Sequence, residues 1–113
     1  MIKEVVVMKK IYFTLTGTRF FEGDEFIEPG MKIILRKDRR NEYDKEAILV
    51  LLEGVGPIGY VANSVGTVVG ESFSAGRLYD KMPSSARGRV LYKMKRGILC
   101  ELVTQPKNPI RVY

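Results

Sequence analysis

"AILVLLEGVGPIGYVA", residues 47–62, holds two apolar runs parted by a glycine–proline break. "AILVLLE" (47–53) is a continuous apolar run, the pattern of a central strand with both faces covered. "GVGP" (54–57) turns the chain, since Gly and Pro punctuate regular structure. "IGYVA" (58–62) then reads as a short strand. Two strands parted by a tight turn set the class: the chain is mainly β.

On the N-terminal side, "RKDRRNEYDKE" (36–46) is too polar for a core element and reads as a surface loop. "MKIILR" (31–36) before it is a further strand. "EGDEFIEPG" (22–30) is a loop, with Pro29–Gly30 as its turn signal. "KKIYFTLTGTRF" (9–20) alternates, with Ile11, Phe13 and Leu15 on one face and Tyr12, Thr14 and Thr16 on the other. Period two with aromatic and β-branched residues predicts a half-buried strand.

On the C-terminal side, Asn63 and Ser64 suit helix caps ahead of "VGTVVGESF" (65–73). Val65, Val68, Val69 and Phe73 would form an apolar stripe against the core. Glycines and β-branched residues make this helix weak, so packing must hold it. "MPSSARG" (82–88) reads as a loop. "RVLYKM" and "ILCELVT" flank "KRG", which predicts a hairpin with Gly97 at positive φ. The tail "QPKNPIRVY" (105–113) carries two prolines and reads as extended. Five or six strands with one or two short helices predict a compact barrel or curled sheet, which removes exposed edges.

At 113 residues, 45% of them hydrophobic and 28% charged, the chain reads as a single domain over 1–113. Its one cysteine, Cys100, precludes an internal disulfide and suits a reducing, cytoplasmic setting. Cys100 itself reads as a small core hydrophobe. No stretch reads as a signal peptide or a membrane span. The chain has no histidine, so the commonest general base and metal ligand is missing. One cysteine gives no support for a zinc site, and no nucleophile–His pair exists. "GTVVGESFSAG" (66–76) lacks the phosphate-loop pattern. These exclusions favour a binding protein without catalytic residues, metal or cofactor. A hydrolase using Asp44, Glu46 and a metal is the least favoured reading.

The charge is uneven. Residues 1–66 hold ten basic and ten acidic side chains, while residues 67–113 hold nine basic and three acidic. The second segment therefore carries the whole net charge of +6. That asymmetry suits an acidic partner such as nucleic acid.

Three pieces, in order, resemble the HIRAN domain, a small β-barrel module of helicase-like DNA repair translocases that also occurs alone. "GTRFF" (17–21) is similar to the family's Gly-Arg-Tyr-Tyr-like element at the end of its first strand. "NEYDKEAILV" (41–50) is similar to Asn-Pro-Tyr-Asp-x-x-Ala-Ile-x-Val, and "PIGYVA" (57–62) to its hydrophobic-Gly-His/Tyr-hydrophobic strand. The resemblance covers about residues 10–104. It differs in having phenylalanines for tyrosines at Phe20 and Phe21, and Glu42 where proline is common.

The resemblance implies an OB-like barrel that binds single-stranded DNA at its 3′ end, with a helicase or repair protein as a further partner. It implies that rings of the first and second motifs stack on the terminal bases. It also implies that the second motif's Asp bonds the free 3′-hydroxyl. Carried over by motif, these residues are Arg19, Phe20 and Phe21, then Tyr43 and Asp44. Arg39, Arg40 and Lys45 add candidate phosphate contacts, and Tyr60 a further ring.

Elementary chemistry favours the same set. Aromatic stacking tolerates any base, basic side chains attract phosphate, and a carboxylate accepts a hydrogen bond from a terminal hydroxyl while repelling a continuing phosphate. Plainer roles stay open. Asp44 can cap a turn, Tyr43 can pack in its loop, Tyr60 and one of Phe20 and Phe21 can be core, and the basic run can be a solvated face. The alternative function is a protein-interaction or adaptor domain with a basic docking surface.

Overall fold

Six antiparallel strands close into a barrel. The structure is a computed structural model that describes residues 10–21 and 25–103, together with the backbone of 5–7 and 110–112. β1 (Val5–Val7) pairs with β8 (Ile110–Val112) as a separate two-stranded ribbon. The barrel consists of β2 (Tyr12–Thr16), β3 (Lys32–Lys37), β4 (Ile48–Leu52), β5 (Gly56–Val61), β6 (Ser85–Met94) and β7 (Gly97–Leu102). The order around the barrel is β2-β5-β4-β3-β6-β7, with β7 returning to β2. This is the expected mainly β, OB-like architecture. Closure leaves few free strand edges.

The core follows from the pleat. Ile33 and Leu35 on β3, Ile48, Val50 and Leu52 on β4, and Val90 on β6 point inward with Phe13 and Leu15 of β2. Burying each such side chain contributes about 1.5–3 kcal/mol. Ile58 and Val61 of β5 and Ile98 and Cys100 of β7 also line the core. Register shifts at Val50/Leu51 and Val90/Tyr92 mark bulges. Bulges bend strands and increase twist, which helps a six-stranded sheet curl shut.

Gly59 in β5 lies where backbones come closest. A Cβ there would sit 2.5 Å from the Thr16 carbonyl oxygen and 2.7 Å from Leu15 Cδ1. Only glycine lets β5 approach β2 at that point.

The seam between β2 and β5 is short. Leu15 faces Val61 and Thr16 faces Tyr60. Beyond them Ala62 N–H donates to Thr14 O at 2.8 Å, and Phe73 N–H donates to Tyr12 O at 2.6 Å. The chain around 69–73 therefore lies along β2 and covers it.

This placement corrects three expectations. First, Thr14 is buried rather than solvent-facing, and its hydroxyl accepts Val69 N–H at 3.0 Å and bonds Ser72 Oγ at 2.9 Å. Second, residues 65–73 form turns and no helix: Val65 is 97% exposed, and Gly70 has φ 54°, which ends any helical run. One turn closes from Ser64 O to Val68 N–H, and the chain then extends toward β2. The described residues hold one α-helix instead, α1 (Ala75–Tyr79), capped by Ser74 Oγ accepting Arg77 N–H at 3.3 Å. Ala75 and Leu78 anchor it in the core. Third, the first strand stops at Thr16. Residues 18–21 form a 3-10 turn, so Phe20 and Phe21 do not alternate across a strand.

The predicted hairpin is present, with Met94 facing Gly97 across Lys95 and Arg96. Gly97 has φ 158°, and a Cβ there would lie 2.7 Å from Thr14 Cγ2. β6 starts at Ser85, earlier than the loop expected over 82–88. The extended tail is represented by β8, with residues 104–109 and 113 outside the described residues.

Candidate nucleic-acid interface

The polar loop between β3 and β4 is organised by its own side chains. Asn41 Oδ1 accepts Tyr43 N–H at 2.9 Å and Asp44 N–H at 2.8 Å. Such an Asx turn holds the loop without a regular element. Asn41 Nδ2 and the Tyr60 hydroxyl both donate to Asp38 Oδ2, each at 3.3 Å. Burial, and next the charge of Asp38, push the Tyr60 hydroxyl above its ordinary value of 10.0. Tyr60 is therefore a protonated donor at neutral pH.

Asp44 has a double attachment. Its Oδ1 accepts Glu46 N–H at 2.9 Å, the turn-capping role open to it from the sequence. Its Oδ2 accepts from Asn63 Nδ2 at 2.8 Å. A carboxylate offers about four lone-pair positions. Two are engaged here, so the half-buried group can still accept from a ligand.

Tyr43 stands beside this anchored acid with its ring 96% exposed, which removes loop packing as its role. An open groove of about 780 Å³ is lined by Asn41, Tyr43, Asp44, Tyr60, Asn63 and neighbouring Ala47, Val61 and Ser64. β5 supplies its apolar floor and the Asn41 turn its polar rim. Phe21 reaches this region through Tyr60, with ring centroids 6.0 Å apart and planes tilted 50°.

The other expected residues are spread more widely. Arg19 is exposed on the 3-10 turn and lines a different cleft, beside the β6–β7 hairpin. The backbone of Phe20 belongs to the same turn, while its side chain lies outside the described residues. Arg39 donates to Ser84 Oγ at 3.0 Å, in the loop before β6. Arg40 and Lys45 are exposed and, like Arg39, do not line the groove. The basic run is thus divided: Arg36 and Lys37 belong to β3, and Lys37 Nζ lies 4.5 Å from the centre of the Tyr79 ring.

Two residues of the site escaped sequence reasoning. Asp38, which no motif singles out, joins Asn41 to Tyr60. Asn63, expected to cap a helix over 65–73, instead links Asp44 to α1 by accepting Gly76 N–H at 2.8 Å. Their signal was slight: a lone acid among cations, and an amide directly after the third motif.

Among the described residues no group of three or more His, Cys, Asp or Glu side chains converges as a metal site. No described helix is long and apolar enough to cross a membrane.

The closed antiparallel barrel thus presents an exposed ring and an anchored carboxylate at one groove. Its sequence matches the HIRAN domain over residues 8–107, so the chain belongs to the HIRAN-domain family. That family consists of nucleic-acid-binding modules and is not itself catalytic. Comparison with curated proteins and with solved structures gives no match.

Proposed function

We propose that this protein binds the 3′ end of single-stranded DNA in the Tyr43–Asp44 groove. The observation that carries this reading is the 96% exposed Tyr43 ring next to a carboxylate already fixed by two hydrogen bonds. Tyr43 stacks on the terminal base, a contact worth about 1–3 kcal/mol. Asp44 accepts from the 3′-hydroxyl, and Phe21 and Tyr60 extend the aromatic surface. Arg39, Arg40 and Lys45 contribute the salt-sensitive attraction to phosphate.

Asp44 supplies the discrimination. A free hydroxyl donates to it, while a phosphate in the same place meets like charge. Polarisation titrations with oligonucleotides ending in 3′-hydroxyl or 3′-phosphate test this directly. The hydroxyl end binds more tightly, and Asp44→Ala shrinks the preference by about tenfold, equivalent to 1.4 kcal/mol. Equal affinity of the native protein for both ends would refute the reading. Failure to bind any oligonucleotide would return the protein to the adaptor class.

A further inference from the structure

We propose that a second groove, beside the β6–β7 hairpin, grips the phosphates of the same strand as it leaves the Tyr43–Asp44 groove. This rests on the strand-end reading above and adds the path that the strand takes across the barrel.

The second groove measures about 420 Å³ and lies between residues 15–19 and the hairpin residues 93–98. Its lining includes Arg19, Lys93, Lys95 and Arg96, and no acidic residue. The side chains of Arg19, Lys95 and Arg96 make no hydrogen bond or ion pair with a described residue. Like charges gathered around a small cleft repel one another, and an entering anion removes that cost.

The turn itself departs from habit. Two-residue hairpin turns favour Asn-Gly or Asp-Gly, whereas Lys95 and Arg96 occupy the turn here. Departures from local preference are expected where a residue serves a ligand. The cleft has little apolar surface to hold a base, so its chemistry is that of a phosphate site.

Register places the two grooves on one path. Leu15 faces Val61 of β5 on one side and Ile98 of β7 on the other, while Thr16 faces Tyr60. The Tyr60 groove and the hairpin groove therefore flank the same end of β2, two strand spacings apart, or about 10 Å. The 3-10 turn bridges them: Arg19 lines the hairpin groove, and Phe21 lies against Tyr60. A strand whose last base stacks on Tyr43 crosses this turn and meets the hairpin. Continuity with the first groove favours nucleic acid over an acidic peptide.

The test uses the full chain and 3′-hydroxyl DNA of about four to twelve nucleotides, within the span of single OB-type sites. Affinity of the native protein rises with strand length. Lys95→Gln combined with Arg96→Gln removes most of that rise. The log–log salt slope for the longer strand becomes shallower by about 1.4, from two phosphate contacts at about 0.7 each.

The preference of the double variant for a 3′-hydroxyl over a 3′-phosphate end stays as in the native protein. Lys95→Gln alone halves the slope change and guards against a folding defect in the pair. If the double variant keeps both the length gain and the salt slope, the hairpin groove is not a phosphate site. Competition by a polyglutamate peptide that is stronger than by DNA would also overturn the proposal. A native protein with the length gain but no end preference refutes the strand-end reading and supports the hairpin groove.

Discussion

Asn63 holds Asp44 from one side and the start of α1 from the other. Its Nδ2 donates to Asp44 Oδ2 at 2.8 Å, and its Oδ1 accepts Gly76 N–H at 2.8 Å. The carboxylate proposed to read a strand end is thus tied to a helix seated in the core through Ala75 and Leu78. Preorganisation of this kind lowers the ordering cost of binding.

Removing the link tests its worth. Asn63→Ala loses both bonds, which costs about 0.5–1.5 kcal/mol of stability per bond. The preference for a 3′-hydroxyl end falls, by less than for Asp44→Ala. Asn63→Asp keeps an acceptor for Gly76 N–H but sets a like charge against Asp44, so all oligonucleotides bind more weakly. An end preference that survives Asn63→Ala unchanged would make the link purely structural.

Tyr43 separates binding from folding. Its ring is almost wholly exposed, so Tyr43→Ala leaves the melting temperature unchanged. Affinity for short oligonucleotides drops by about 1–3 kcal/mol, and Tyr43→Phe retains most of it because the π face stacks without the hydroxyl. Thermal melts run beside polarisation titrations give both numbers from one preparation.

Gly59 tests the seam. Gly59→Ala drives a methyl into the Thr16 carbonyl and Leu15, so the strands must part. Overpacking of this kind costs about 1–3 kcal/mol. Because Tyr60 is the next residue, DNA affinity falls as well. A denaturant midpoint equal to that of the native protein would show that β2 and β5 separate without cost.

Cys100 gives a prediction on pH. Burial pushes its thiol from 9.0 up to about 12. Between those values the unfolded chain loses the proton while the folded barrel keeps it. Stability is therefore full below pH 9 and falls as pH rises, by about 1.36 kcal/mol per unit from this group. Cys100→Ala lacks this component, so urea midpoints of the two proteins converge as pH is raised toward about 12. Below pH 9 the native thiol resists alkylation until the protein unfolds.

The barrel was legible because its strands are short apolar runs bounded by turn residues, as in Ile33–Leu35 and Ile48–Leu52, within which burial alternates. Local pattern sufficed there, since one face of each strand must be buried. The helix was misplaced for a related reason. Val65, Val68, Val69 and Phe73 have helical spacing, but the open hydrogen-bonding edge of β2 competes for that chain and takes Phe73 N–H. Nothing near residue 73 in sequence announces that edge.

At the candidate site, the motifs located Tyr43 and Asp44, while Asp38 and Asn63 depended on tertiary contacts. Tyr60 lies 22 residues beyond its partner Asp38, and Asn63 lies 19 beyond Asp44. Polar pairs at such separations leave no periodic trace.

Barrel closure also has a kinetic side. Tyr12 pairs with Glu101 and Phe13 with Cys100, so the opening strand of the barrel waits for its last one. Pairings that span most of a chain fold slowly, because loop-closure entropy precedes any reward. On the ribosome, the β3–β4 loop emerges well before β7. Tyr43 and Asp44 are thus synthesised early, whereas the β2–β5 seam beside the groove joins a closed barrel only when β7 pairs with β2. A nascent chain carries the whole motif before the barrel around it can close.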